Sequence, residues 1–173
     1  MPSAARRAAL ELLLELERGG TTLDLLLAGP LLASLPRLER NFANELVLGS
    51  LRRQGAIDHA LRAFLDRPLP TLDAAVLASL RLGAHQLLHL RVPPRAAVDE
   101  SVELARQAGR GRASGFVNAV LRRLARDGPP ALPDPGREPL AWLTSAGSLP
   151  GDPYNPPRPE KSWLSLLDER PKR

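Results

Sequence analysis

Residues that favour sheets are nearly missing from this sequence. Its 173 residues include seven Val, one Ile and four Thr, against 36 Leu and 24 Ala. Branching at Cβ suits a pleated surface, whereas Leu and Ala are among the residues that give up least on entering a helix. The expected fold is therefore all-α. The length suits one ordinary domain with its own core and an appendage, and two domains would be a squeeze.

Glycine and proline divide the chain into about seven helices. The first runs from a Ser3 cap to Glu17 and stops at Gly19-Gly20. A second starts at Thr21 or Thr22, where Asp24 would complete a capping box, and Pro30 interrupts it. Pro36 sits as an N1 proline would, opening a third helix through Phe42 and Leu46 to Arg53. A fourth covers Ile57 to Leu65, ahead of Pro68 and Pro70. Thr71 is expected to cap the fifth, apolar from Leu72 to Leu90 and ended by Pro93-Pro94. Val98 to Ala108 and Phe116 to Ala125 form the sixth and seventh. Beyond residue 126 the pattern fails, because 11 of the 18 prolines fall in the last 47 residues. Their spacing forbids a long helix. The division is thus a helical domain, 1–126, and a proline-rich tail, 127–173. The tail keeps two apolar clusters, Leu140 to Leu143 and Trp163 to Leu167.

Charge follows the same boundary. Residues 1–126 hold 18 Arg and 12 acids, whereas the tail is close to neutral. Arg presents a planar fork suited to phosphate, which makes nucleic acid the first partner to consider, beside the plainer reading of a solvated surface. The stretch Ala108-Gly-Arg-Gly-Arg-Ala-Ser-Gly115 sets Arg110 and Arg112 on a glycine-rich loop just before a helix. There, backbone N–H groups and the helix start form a phosphate cradle, unless the loop is simply a linker. It is not a Walker A loop, since no Gly-Lys-Ser/Thr follows. Arg122, Arg123 and Arg126 cluster at the far end of the seventh helix, where cations also complement the dipole. Arg6 and Arg7 stand in a first turn, where positive charge is mildly unfavourable, as if something outside the helix wants them.

Other chemistries are poorly served. No cysteine is present, so disulfides, thiolate metal sites and cysteine nucleophiles are excluded, which suits a reducing cytoplasm. His85 and His89 lie at i and i+4, but Gln86 stands where a zincin needs Glu, so no metal and no cofactor is expected. Asp99, Glu100 and Glu103 read as dipole-stabilising acids at a helix start. The domain's aromatics, Phe42, Phe64 and Phe116, fall on apolar faces, so RNA binding would rest on phosphates, sugars and shape. The basic start is followed by Glu11 and Glu15, so no signal peptide forms, and no apolar run approaches a membrane span of about 20 residues.

Three stretches in order carry a family likeness: Glu39-Arg-Asn-Phe-Ala-Asn-Glu-Leu-Val-Leu-Gly-Ser-Leu-Arg-Arg53; Leu80-Arg-Leu-Gly-Ala-His-Gln-Leu-Leu88 leading to Ala97-Val-Asp-Glu-Ser-Val-Glu-Leu-Ala105; and Gly115-Phe-Val-Asn-Ala-Val-Leu-Arg-Arg123. Together they resemble the NusB-like helical domain, found alone as an antitermination factor and as the N-terminal domain of Sun/RsmB-type ribosomal RNA cytosine-5 methyltransferases. The likeness covers about residues 5–126. Gly49-Ser-Leu-Arg-Arg53, the Gly-Ala-His-Gln run and the Val-Leu-Arg-Arg ending resemble the methyltransferase branch, since the free factor usually carries an acid after Val-Leu. Leu140 to Pro150 look like the start of a connector. Asp99 departs from the family, where Asn commonly precedes the Glu.

The resemblance implies two packed helical bundles that bind RNA, with ribosomal RNA foremost. The implied contacts are Arg6, Arg7, Arg110, Arg112, Asn118, Arg122 and Arg123. It further implies a separate S-adenosylmethionine-dependent catalytic domain with nucleophilic cysteines, so these cysteine-free residues are not expected to be an enzyme by themselves. Partners beyond RNA would be that methyltransferase domain or, for a free antitermination factor, a small ribosomal protein. A helical protein-interaction module with an incidental Arg surface is the alternative from another class.

Overall fold

A computed structural model describes residues 2–134 together with Arg137 and Glu138, and every regular element among these is helical. In chain order they are α1 (Ala4–Arg18), α2 (Leu23–Leu27), α3 (Pro30–Ala33), α4 (Arg37–Arg52), α5 (Gln54–Arg62), α6 (Ala74–His89), α7 (Pro94–Gln107) and α8 (Ser114–Asp127), with 3-10 turns at Leu69–Thr71 and Gly111–Ala113. The seven expected helices are present, the second broken in two at Gly29-Pro30.

Several boundaries shift for local reasons. Ser3 caps α1 as expected, its Oγ accepting from the Arg6 N–H, and Gly19 and Gly20 end the helix with φ of 78° and 85°. Thr22 rather than Thr21 caps α2, which leaves Asp24 one residue short of a capping box. Pro36 occupies the cap position with extended ψ, one residue before the first helical turn. Thr71 caps nothing; it closes the 3-10 turn while Asp73 accepts from the N–H groups of Ala75 and Val76. Proline at the first helical position starts α7 at Pro94, four residues before the apolar pattern begins.

Two apolar clusters form the interior. One gathers Ala5, Ala9 and Leu12 of α1, Leu32 of α3, and Ala43, Leu46 and Val47 of α4. The other gathers Ile57 and Leu61 of α5, Val98 and Ala105 of α7, and Val117, Val120, Leu121 and Leu124 of α8. Helix α6 belongs to both, giving Ala78 and Leu82 to the first and Val76, Leu77, Leu80 and Ala84 to the second. That sharing explains why α6 is apolar around most of its circumference. Glycine sets its spacing: a Cβ on Gly83 would stand 2.5 Å from Leu121 Cδ1 and 2.7 Å from Ser101 Oγ, so α7 and α8 approach its backbone closely.

After α8 the chain turns at Gly128 (φ 74°) and passes back over α5, where the Ala131 carbonyl oxygen lies 2.9 Å from His59 Nε2. Leu132 and Pro133 are half-buried there. The clusters Leu140 to Leu143 and Trp163 to Leu167, and the connector-like stretch Leu140 to Pro150, lie outside the described residues. Among the described residues, no helix is long and apolar enough to cross a membrane.

Candidate functional site

Arg6 and Arg7 are neighbours in sequence and opposites in space. Arg6 is buried, at 9% exposure. Its Nε donates to Gln86 Oε1 of α6 at 2.7 Å, one Nη lies 3.4 Å from Glu100 Oε2 of α7, and its guanidinium stands 5.0 Å above the Phe42 ring of α4. The first turn of α1 is held by two more carboxylate contacts, with the Ser3 N–H donating to Glu100 and the Ala5 N–H to Glu39. Those acids satisfy N–H groups that a helix start leaves open, and they answer the positive charge that the sequence places there. The partner that Arg6 wants is therefore inside the protein, since its fork is already occupied.

Arg7 faces outward. It borders a groove with Leu10 and Leu14 of α1 and Leu104, Gln107 and Ala108 of α7. From Ala108 the chain continues through Gly109 (φ 76°) into the loop carrying Arg110 and Arg112, both exposed. Arg110 reaches back to Asp73, 2.7 Å away, tying the loop to the start of α6. Burial pushes the Asp73 carboxyl upward, but the Arg110 hydrogen bond, the two backbone N–H groups and the guanidinium charge outweigh it and hold it below its ordinary value. Part of the Arg110 charge is spent in this way. No side chain caps α8; the 3-10 turn Gly111–Ala113 runs straight into it, and the Gly111 carbonyl accepts from the Ser114 N–H, the first of the helix.

Beside the loop lies a pocket of about 340 Å³, lined by Arg67, Thr71, Asp73, Arg112 and Phe116. Arg67 was not expected here. It stands 45 residues before Arg112, between α5 and the 3-10 turn at Leu69, and nothing in its own neighbourhood distinguishes it; its guanidinium lies 5.8 Å from the Phe116 ring of α8. Phe116 packs against the second apolar cluster, as expected of a residue on an apolar face, and is half-buried, so that it also lines the pocket.

Further along α8, Asn118 Oδ1 accepts from Arg122 Nε at 2.8 Å, and Arg123 lies 5.4 Å from the Phe64 ring. Both arginines are exposed. Six of the seven expected contacts thus lie at the surface of α1, the loop and α8, and Arg6 does not. His85, by contrast, is fully buried against Gly49 of α4. Burial lowers its pKa to about 4, the Arg53 charge acts in the same direction, and Glu45, 3.6 Å away, only partly offsets them. Among the described residues, no group of three or more His, Cys, Asp and Glu could hold a metal ion.

The motif stretches converge in space. Gly49 of the first packs on His85 of the second; Gln86 and Glu100 of the second hold Arg6; and Leu121 of the third closes on Gly83. Residues 3–126 match the NusB family. This chain belongs to the NusB family. Ribosomal RNA small subunit methyltransferase B of Xanthomonas campestris is 40% identical over 140 residues, covering 81% of this chain and 32% of that protein. Transcription antitermination protein NusB of Nitrosococcus oceani is 33% identical over 125 residues, 72% of this chain and 84% of that protein. In structure the chain is similar to T. maritima NusB, with a TM-score of 0.66 and 26% identity over 75% of this chain and 96% of that one. The chain spans about a third of the length of its methyltransferase relative. A 140-residue match is longer than the helical domain, so that likeness continues into the tail, and the chain is related to the N-terminal part of the methyltransferase.

Proposed function

We propose that residues 1–126 are an RNA-binding domain that targets a ribosomal RNA 5-methylcytosine methyltransferase to its substrate in the cytoplasm, with methyl transfer carried out by a separate S-adenosylmethionine-dependent catalytic domain. The observation that carries this reading is the exposed arginine surface running from Arg7 through the glycine loop to α8. Arg7, Arg67, Arg110, Arg112, Arg122 and Arg123 contact phosphates, Asn118 orients Arg122, and Arg6 fixes the helix on which Arg7 stands. The continuation of the methyltransferase likeness beyond residue 126 supports the connection to a catalytic partner.

The test is the salt dependence of binding to fragments of small-subunit ribosomal RNA. With six arginines each neutralising a phosphate, affinity falls by roughly a thousandfold between about 50 and 200 mM salt. Binding that ignores salt, or absent binding, overturns the reading and leaves a helical protein-interaction module.

The Nitrosococcus oceani likeness, which spans 84% of an antitermination protein, favours a second reading: a free antitermination factor acting with a small ribosomal protein. A stable complex with that ribosomal protein in a pull-down supports the factor, and its absence supports the methyltransferase relative.

A further inference from the structure

On the arginine surface, one carboxylate serves two partners. Asp73, the residue before α6, accepts through Oδ1 from the N–H groups of Ala75 and Val76, at 3.0 and 3.4 Å. Its other oxygen, Oδ2, lies 2.7 Å from Arg110 Nε. Asp73 lines the pocket beside the loop together with Arg67 and Arg112, and it is the one acid among the described lining residues. The loop backbone is pinned on both sides of the contact, since the Arg110 N–H donates to the Ala105 carbonyl and the Arg110 carbonyl accepts from the Ala113 N–H. A change of partner therefore falls to the Arg110 side chain. Arg110 and Asp73 are partly exposed, at 48% and 38%, so a phosphate can approach the guanidinium from solvent. Carboxylate and phosphate both present anionic oxygens to the guanidinium fork, and they compete for it.

We infer that Asp73 competes with RNA for Arg110, holding the guanidinium in the free chain and yielding it to a phosphate when RNA binds. This regulation rests on the RNA reading of the arginine surface. Breaking the tie offsets part of the new contact, so a lone phosphate gains little at Arg110. A strand that also meets Arg67 and Arg112 carries the exchange, because its other contacts remain. The tie thus lowers background binding of small anions and favours longer polyanions. Arg110 displaces a cation from RNA while the vacated Asp73 takes one up, so Arg110 adds less to the salt slope than an untied arginine does. The cap on α6 survives the exchange, because it uses the other oxygen.

Asp73→Asn separates the two roles. Asn caps a helix as well as Asp does, so its Oδ1 keeps the Ala75 and Val76 N–H groups, while an amide NH2 replaces the oxygen that held Arg110. Helix content and melting temperature are expected to hold. Binding to fragments of small-subunit ribosomal RNA at about 50 mM salt is expected to tighten by about two- to fivefold, the worth of an exposed ion pair. Its salt slope is expected to steepen by up to about 0.7, the step for one contact on a single strand. In an Arg110→Ala background the same substitution is expected to leave affinity nearly unchanged. Where the wild type binds RNA, unchanged or weaker binding by Asp73→Asn overturns the inference. So does an equal gain without Arg110, which makes Asp73 a carboxylate that merely repels RNA. Inorganic tripolyphosphate is the second probe, and Asp73→Asn is expected to bind it more tightly only when Arg110 is present. That gain, with no RNA binding by any variant, removes the RNA reading and leaves the exchange at Arg110. Steep salt dependence of RNA binding with no gain removes the exchange and leaves the RNA reading.

Discussion

The first turn of α1 and the loop before α8 are both rich in arginine, and they use it in opposite ways. At α1, Arg6 is enclosed by groups from three other helices, Gln86, Glu100 and Phe42. At the loop, Arg112 is exposed, and Arg110 makes one ion pair with Asp73. A guanidinium taken from water is tolerated only where its donors are answered, so Arg6 is a fixed part of the interior. An exposed guanidinium remains available to a phosphate. The same side chain is mortar in one place and a contact surface in the other.

The contrast is broken most sharply at Arg6. Arg6→Met leaves Glu100 and Gln86 without their partner, and removing one member of a buried pair costs about 3 kcal/mol. A denaturant titration is expected to show that loss for Arg6→Met and less than about 0.5 kcal/mol for Arg112→Ala. Equal losses would erase the distinction. Next in size is a pair of glycines. Gly83→Ala drives a methyl group into Leu121 and Ser101 and is expected to cost about 2 kcal/mol, whereas Gly115→Ala, with nothing within 4 Å, is expected to be neutral or slightly stabilising in thermal melts.

Another effect comes from pH. The His85 pKa is about 4 in the folded chain against 6.5 when exposed, so the unfolded chain binds more protons between these values. Stability contributed by His85 is whole above about pH 6.5 and is lost as pH falls toward 4. Replacing His85 with Phe should flatten that part of the pH–stability curve, while Arg110→Ala should not. The smallest effect is specific to the surface: Arg7→Ala or Arg112→Ala lowers the salt slope of RNA binding by about one contact, with helix content unchanged. Arg6→Lys, still folded, is expected to leave the slope intact.

Much of the fold could be read in the sequence because its punctuation is local. Gly19-Gly20, Pro36 and Pro93-Pro94 each act within a few residues, and the helices lie where they place them. The misplaced boundaries belong to caps chosen by competition, as when Asp73 rather than Thr71 caps α6 and the helix starts two residues later. The fate of Arg6 was beyond such reading, because Gln86 and Glu100 stand 80 and 94 residues away and its immediate neighbour has the opposite environment. Arg67 was hidden for the same reason. Sequence alone showed where arginine is dense; packing decides which arginines reach solvent.

The double membership of α6 also governs how the domain comes apart. Neither bundle can lose its interior without exposing one side of that helix, and an exposed side removes support from the other bundle. The two halves are therefore expected to melt in a single cooperative transition, with calorimetric and van't Hoff enthalpies in agreement.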